Sequence, residues 1–438
     1  MRFLSWSVSF ASLLAACSAR TGLDVDGAGE TTAGTGGRPS TSTSTDVGGG
    51  APLSCDGLVL VDPPVALPTP ATAARAPEIG LLPEGDAWIS ILESPTGTAG
   101  TLRVGRTNAF SEWPPNFVAM VDLDPAVVDY VTGPGAGAPV ALIQHASDSF
   151  LATSLLPTLE GTELLTLTGP AATTTPSFAV GIDGRFLAAA ITRQTDLNQA
   201  VLHVGSYQPD SLPQSEPPLS CTKQAAPAAA IPTTGGFLAA YAMNNPPSDP
   251  CPVGDKPRPS VVTIARYGAP TEPGSFLTYE ETDHAVLNDT VVHVALVPAP
   301  FGAWEVFQGA GDDARQPPAI LAQRLGPDGI SLDPPGGYTP ISPDGVSSAF
   351  IGAAPLGDAL VVAWTDALDP TAPTIVLQIV RSDLSLGPSA SIPTNVVWQT
   401  GRIRMVASPE ARSLLVAWEG GVDAPAVGLA RLDCVTGL

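Results

Sequence analysis

Beyond residue 55 the apolar positions come in short runs separated by clusters of Pro, Gly and Asp. That pattern predicts strands and turns rather than amphipathic helices. In the run 360–364, Leu360, Val362 and Trp364 share one face of an extended chain, and Val361 and Ala363 share the other. Leu414, Val416 and Trp418 repeat the arrangement, and Ile375, Leu377 and Ile379 alternate with Val376, Gln378 and Val380. Apolar residues on both faces predict strands buried on both sides, as in stacked sheets.

The runs follow one plan. A turn is followed by an apolar strand carrying an aromatic, then a loop, then a second apolar strand ending in Arg. The clearest copies are 235–268, 301–329, 357–383 and 411–433. Their aromatics, Tyr241, Trp304, Trp364 and Trp418, are spaced 63, 60 and 54 apart. Their arginines, Arg266, Arg324, Arg381 and Arg431, are spaced 58, 57 and 50 apart. Weaker copies at 85–106 (with Trp88 and Arg106), 149–169 and 184–207 bring the total to seven units of roughly 54 residues. The aromatics are expected at equivalent positions, and each arginine is expected to pair with a carboxylate in its own turn.

Repeats of this length predict an all-β fold, a β-propeller of about seven blades. The alternative is a string of tandem β-sandwich domains, each spanning two repeats. The segment Ala-Ile-Leu-Ala-Gln-Arg-Leu-Gly-Pro-Asp-Gly, 319–329, resembles a repeat of secreted bacterial propeller-like proteins. The likeness is partial at 261–268, 375–383 and 427–433.

The N-terminus has a different character. Arg2 precedes an apolar stretch, Phe3 to Ala16, which is of secretory-signal length and short for a membrane span. It ends in Leu14-Ala15-Ala16-Cys17, which resembles the lipobox of bacterial lipoproteins. The resemblance implies cleavage after residue 16, lipidation of Cys17 with palmitate-type acyl chains, and an address in the cell envelope. Ser18 in place of Asp points to the outer membrane of a Gram-negative bacterium. Residues 17–54, rich in Gly, Ser and Thr, read as a flexible tether with no apolar period to bury. Residues 55–438 are the repeat domain.

Composition narrows the partners. The 438 residues carry 42 acidic and 19 basic side chains, a formal charge of −23. Phosphate backbones would be repelled, so no nucleic-acid partner is expected. Five cysteines outside the cytosol predict disulfides once Cys17 is acylated. Four thiols allow three pairings. Cys55 with Cys434 would join the two ends of the repeat domain, and Cys221 with Cys251 would clip one loop-rich unit. No Cys spacing typical of a metal site occurs.

Candidate chemistry is sparse. His203 and His293 lie in apolar strands and read as core or inter-blade histidines; His145 reads as part of a turn. The polar run 279–290 offers Glu281, Asp283 and His284 as acid, base or ligand, yet reads best as a solvated turn. Asp312 and Asp313 are candidate Ca²⁺ ligands without the Asp spacing of a calcium loop. No nucleophile elbow, P-loop or HExxH motif is present, and no cofactor is called for. The reading is a surface-tethered binding or scaffold module for an extracellular or periplasmic ligand. The alternative is a polysaccharide hydrolase or lyase on a propeller fold.

Overall fold

The structure, a computed structural model, describes most residues between 55 and 436, and from 144 to 228 the strand backbones alone. Segments 1–16 and 17–54 with Cys17, as well as Cys251, Asp312 and Asp313, lie outside the described residues. Among the described residues every regular element is a strand.

The strands form six sheets. Sheet one has seven strands: Ala74–Leu81, Ala87–Glu93, Gly100–Thr107, Phe117–Thr132, Val140–His145, Ser149–Ser154 and Thr162–Thr166. Its long strand belongs to two neighbourhoods. From Phe117 to Val127 it pairs with Gly100–Thr107, and from Val127 to Thr132 with Val140–His145. Sheets two and three are each four rows deep, through the central hairpins Phe186–Gln194 with Gln199–Tyr207 and Gly236–Asn244 with Ser260–Gly268. Sheet four runs His293–Ala299, Gly302–Gly309, Ala319–Leu325, Thr339–Pro340. Sheet five runs Ile351–Leu356, Ala359–Asp366, Thr374–Val380, Leu386–Pro393. Sheet six runs Ile403–Ala407, Ser413–Gly420, Ala426–Val435, and its outer strand is Gly57–Leu60 from the other end of the domain.

That last pairing sets Leu58 opposite Cys434, and Cys55 is disulfide-bonded to Cys434 across 379 residues of sequence. The expected terminal staple is therefore present. Cys221 begins a short strand paired with Val201 and Ala200; its proposed partner lies outside the described residues.

The first strands of successive sheets lie side by side. Ala74–Leu81 neighbours Ile403–Ala407, which neighbours Ile351–Leu356, then His293–Ala299, Ala229–Thr233 and Ser177–Val180. The last adjoins Phe117–Thr132, which returns to Ala74–Leu81. These inner strands thus make a closed ring. Sheets two to six are antiparallel and four rows deep, and sheet one is two such groups sharing the strand Phe117–Thr132, so each outer strand ends where its inner strand began. All inner strands therefore run the same way and begin at one common end, called here the leading end.

Between sheets lies the core. Leu360, Val362 and Trp364 share one cluster with Trp304, Val306 and Ile320 of sheet four. Val361 and Ala363, on the opposite face, pack with Leu414, Val416 and Trp418 of sheet six. Leu415 and Ala417 pack with Ile89 and Ile91 of sheet one. The two-faced burial expected from the sequence is what joins neighbouring sheets.

Two expectations about the repeat need correction. All five aromatics sit on second strands, but at two different positions. Trp88 and Trp304 come early in theirs, opposite Arg106 and Arg324. Tyr241, Trp364 and Trp418 come late, sixth in their strands. Because Trp304 and Trp364 share one cluster, they fill the same inter-sheet space from opposite sides. A strand with two buried faces can carry its bulky wedge on either, so equal spacing in sequence did not mean equal position. The copy at 149–169 is also out of phase. Its strands are the outer two of their group, and the second strand there is Val140–His145.

The expected pairing of each third-strand arginine with a turn carboxylate holds for Arg324, while Arg431 takes a carboxylate of its own strand. Arg324 donates to both oxygens of Asp333, with Nη2 at 2.6 Å from Oδ1, and Arg431 Nε lies 2.9 Å from Asp433 Oδ1. Arg381 instead reaches the Leu386 carbonyl, while Asp383 caps Ser385 in the same turn.

Glycines make room for two of the indoles. Gly80 faces Trp88 and Gly428 faces Trp418 across their strand pairs, and a Cβ on either would overlap the ring. Gly428→Ala is expected to lower stability by about 1–3 kcal/mol, the cost of overpacking a filled core. Chemical denaturation checks this, and an unchanged midpoint would mean that the indole can move aside.

Candidate functional site

The polar groups that sequence reading singled out do not assemble a site. Tyr279–Leu287 is a strand, not the solvated turn expected for 279–290. It is the outermost row of sheet three, with Glu281 opposite Ala265 and Asp283 opposite Thr263. His284 falls at the register shift between Asp283 and Ala285. An alternation of charged and β-branched residues had the look of a turn because the strand is an edge. The Glu281, Asp283 and His284 backbones are thus three rows out from the ring. His145 closes a strand, opposite Val127, rather than sitting in a turn. Among the described residues no cluster of His, Cys, Asp and Glu has the makings of a metal site.

The structure does bring together charged residues at the leading end of the ring. Arg402 and Arg404 flank the start of the inner strand of sheet six. Being two apart in extended chain, they project to the same side. Arg402 is nearly buried, its side chain 10% exposed; Arg404 is more open at 28%. Arg402 Nη2 lies 2.5 Å from Asp129 Oδ1, and its Nη1 donates to the Tyr130 carbonyl at 2.7 Å and sits 3.6 Å from Glu78 Oε1. Arg404 Nε donates to the same Glu78 oxygen at 2.9 Å. The other Glu78 oxygen accepts from Thr132 Oγ1 at 3.0 Å. Three neighbouring inner strands are locked by two carboxylates and two guanidinium groups.

Local backbone geometry aims these groups. The register of Ala74–Leu81 shifts between Arg75 and Glu78, so Ala76 and Pro77 bulge. Ala76 takes a positive φ of 51°, a conformation that costs a non-glycine residue energy. Its N–H is held at 3.0 Å by Glu419 Oε2 from the second strand of sheet six. Pro77 has no N–H to leave unpaired. Bulges re-aim the side chains that follow them, and here the next one is Glu78. Arg75, on the near side of the bulge, donates to the Val128 carbonyl and to Ser94 Oγ.

Electrostatics follow from this packing. Burial alone would lower the Arg402 pKa, but Asp129 and Glu78 outweigh it and the guanidinium is held more firmly charged. Arg75 is lowered, burial exceeding the pull of Asp129 and Glu419. Burial raises the Glu419 carboxyl, against the Ala76 N–H and the arginines. Tyr130, fully buried and hydrogen-bonded to Ser90, is pushed far up by burial and by the Glu78 charge. His293 opens the inner strand of sheet four and is therefore at the same end, with its Nδ1 buried. Burial, and then the Arg404 charge, bring its pKa down to about 4. One further perturbed carboxyl, Glu305, lies in the second strand of sheet four, opposite Gln323, whose amide it accepts from; burial brings it to about 7.

Chemically this set pairs its charges with one another. Glu78, Asp129 and Glu419 are each engaged by a guanidinium or a backbone N–H, while Thr132 and Arg404 lie beside them. The sequence contained a signal for it. Gly-Arg-Ile-Arg-Met, 401–405, and Ala-Arg-Ala-Pro-Glu-Ile, 74–79, put charges inside apolar strands of a chain with only 19 basic residues.

No known family model and no curated protein matches the chain. Among solved structures the chain is similar to a Dyadobacter fermentans protein of unknown function, at 13% identity and a TM-score of 0.46, covering 86% of this chain and 100% of that one. It is similar to a Penicillium chrysogenum α-L-arabinanase complexed with arabinobiose, at 14% identity and a TM-score of 0.47, covering 87% and 100%. It is also similar to a Fusarium graminearum α-L-arabinofuranosidase, at 9% identity and a TM-score of 0.43, covering 86% and 98%.

Proposed function

We propose that residues 55–438 form a seven-bladed β-propeller, tethered to the cell envelope through an acylated Cys17, that recognises carbohydrate at the leading end of its inner-strand ring. The blade count follows from taking the long strand Phe117–Thr132 as the outer strand of one blade and the inner strand of the next. The observation that carries the binding site is the convergence there of Arg402, Arg404, Glu78, Asp129 and Thr132 from three inner strands. Guanidinium donors beside carboxylate and hydroxyl acceptors suit the vicinal hydroxyls of sugars. Loops from every blade would converge at the same end, as recognition requires.

A second reading, hydrolysis of a polysaccharide, is favoured by one observation. Glu419, raised by burial, and Asp129, paired with Arg402, are carboxyl groups in contrasting environments at one end. Pairs of that kind divide acid and base roles.

Incubating the detergent-solubilised full chain with a panel of neutral and acidic polysaccharides separates the readings. Binding without release of reducing ends supports recognition. Release that Glu419→Gln abolishes supports hydrolysis, and neither binding nor release overturns both. The anchor is tested separately. Cys17→Ser is expected to move the protein from the membrane to the soluble fraction and to abolish acyl labelling, because stable anchoring needs more than one chain. Continued membrane fractionation would overturn it.

A further inference from the structure

We propose that Arg404 is the recognition point for a single carboxylate on the sugar, so that the ligand carries an acidic residue such as a uronate at an otherwise neutral chain end. This rests on the carbohydrate reading above and goes beyond it by naming the ligand's charged group.

Arg402 and Arg404 look alike in sequence but are used differently. Arg402 has both terminal nitrogens engaged, by Asp129 and by the Tyr130 carbonyl. Arg404 is held through Nε by Glu78 at 2.9 Å. Its Nη1 makes one long bond, 3.3 Å, to the adjacent Ile403 carbonyl, and its Nη2 has no hydrogen-bond partner among the described residues. Glu78 is itself fixed by Thr132 and Arg402, so Arg404 is oriented from behind with its outer edge turned away from protein acceptors. A guanidinium presented in this way offers two parallel N–H bonds, which match a carboxylate in plane.

The surroundings set the charge of the partner. Three arginines, Arg75, Arg402 and Arg404, meet three carboxyl groups, Glu78, Asp129 and Glu419, and Glu419 is the one biased toward its neutral form. The leading end is therefore balanced in formal charge within a chain of formal charge −23. His293, lowered by burial and then by the Arg404 charge, is biased toward neutral imidazole and so adds no second full charge. A polyanion would meet the repulsion of the whole chain. One carboxylate on a neutral saccharide meets chiefly the Arg404 guanidinium, because the long-range field is screened over about 8–10 Å at physiological salt.

The experiment compares three probes by calorimetry on the detergent-solubilised full chain: a neutral oligosaccharide ended by glucuronate, its methyl ester, and the same oligosaccharide ended by glucose. Acetate and inorganic phosphate serve as free-anion controls. The acid form is expected to bind at least tenfold more tightly than either neutral form. Arg404→Gln should erase that preference, and Arg404→Lys should keep part of it because it retains charge without the fork. Arg404 is partly exposed, and unchanged circular dichroism would establish that both variants are folded. Equal binding of acid, ester and glucose forms would overturn the carboxylate assignment while leaving carbohydrate recognition standing. An acid preference that survives in Arg404→Gln would also overturn it. Binding of none of the three overturns both readings, and phosphate binding as tight as the glucuronate probe would assign the site to free anions instead.

Discussion

Cys434→Ser is expected to lower the stability of the domain by up to about 6 kcal/mol, the chain-entropy value for a cross-link spanning 379 residues. That value is a ceiling, because denatured chains keep some compactness that the cross-link no longer needs to impose. The bond joins Cys55, just ahead of the strand Gly57–Leu60, to the strand Ala426–Val435. Without it the N-terminal edge of sheet six is held by strand pairing, Gly57 to Leu60 against Val435 to Leu432 and Val65 and Ala66 against Leu429 and Gly428, and by the packing of Leu58. Cys55→Ser should have the same effect, and the double variant should add nothing, since both remove one constraint. Equilibrium denaturation of all three checks this. Single variants with a stability unchanged to within about 1 kcal/mol would show that strand pairing alone closes the domain.

Arg402→Gln is expected to cost about 3–5 kcal/mol, the usual penalty for removing one partner from a buried ion pair. The guanidinium bridges Asp129 and Glu78, on two different inner strands of sheet one, and also takes the Tyr130 carbonyl. A glutamine satisfies at most part of this set and leaves Asp129 without its cation. Much of the loss is the stranded carboxylate. Arg402→Gln combined with Asp129→Asn should therefore be less destabilised than the sum of the single variants, by about 0.5–3 kcal/mol. Strict additivity would mean that the pair does not couple, and that the ring is held by its apolar interfaces alone.

Much of this architecture was legible in the residues because both faces of the repeated strands are apolar. Leu360, Val362 and Trp364 on one face, and Val361 and Ala363 on the other, announce sheets stacked on both sides, and those faces do join sheets four, five and six. The terminal cysteines were legible for a mechanical reason, since a ring of sheets must join its ends. Phase was harder. Trp304 and Trp364 fill one inter-sheet space from two sides, so aromatics counted as one landmark were two. The strand Phe117–Thr132 serves two groups of strands with no turn between, and a reader who divides the chain at turns cannot see that boundary. The charged site escaped for a related reason. Glu78, Asp129, Arg402 and Arg404 come from three stretches up to 326 residues apart, each with only one or two charges. Glu281, Asp283 and His284, by contrast, drew attention because they are crowded together in sequence, yet an outer strand carries them.

The measurement that bears most directly on the account is a crystal structure of the full chain soaked with the glucuronate-ended oligosaccharide. The account predicts seven four-stranded groups around one axis, with the long strand Phe117–Thr132 shared by two of them. It places the carboxylate against the outer edge of Arg404. Separate sandwich domains that put His293 and Arg404 in different cores, or a saccharide bound at the opposite end of the ring, would contradict it.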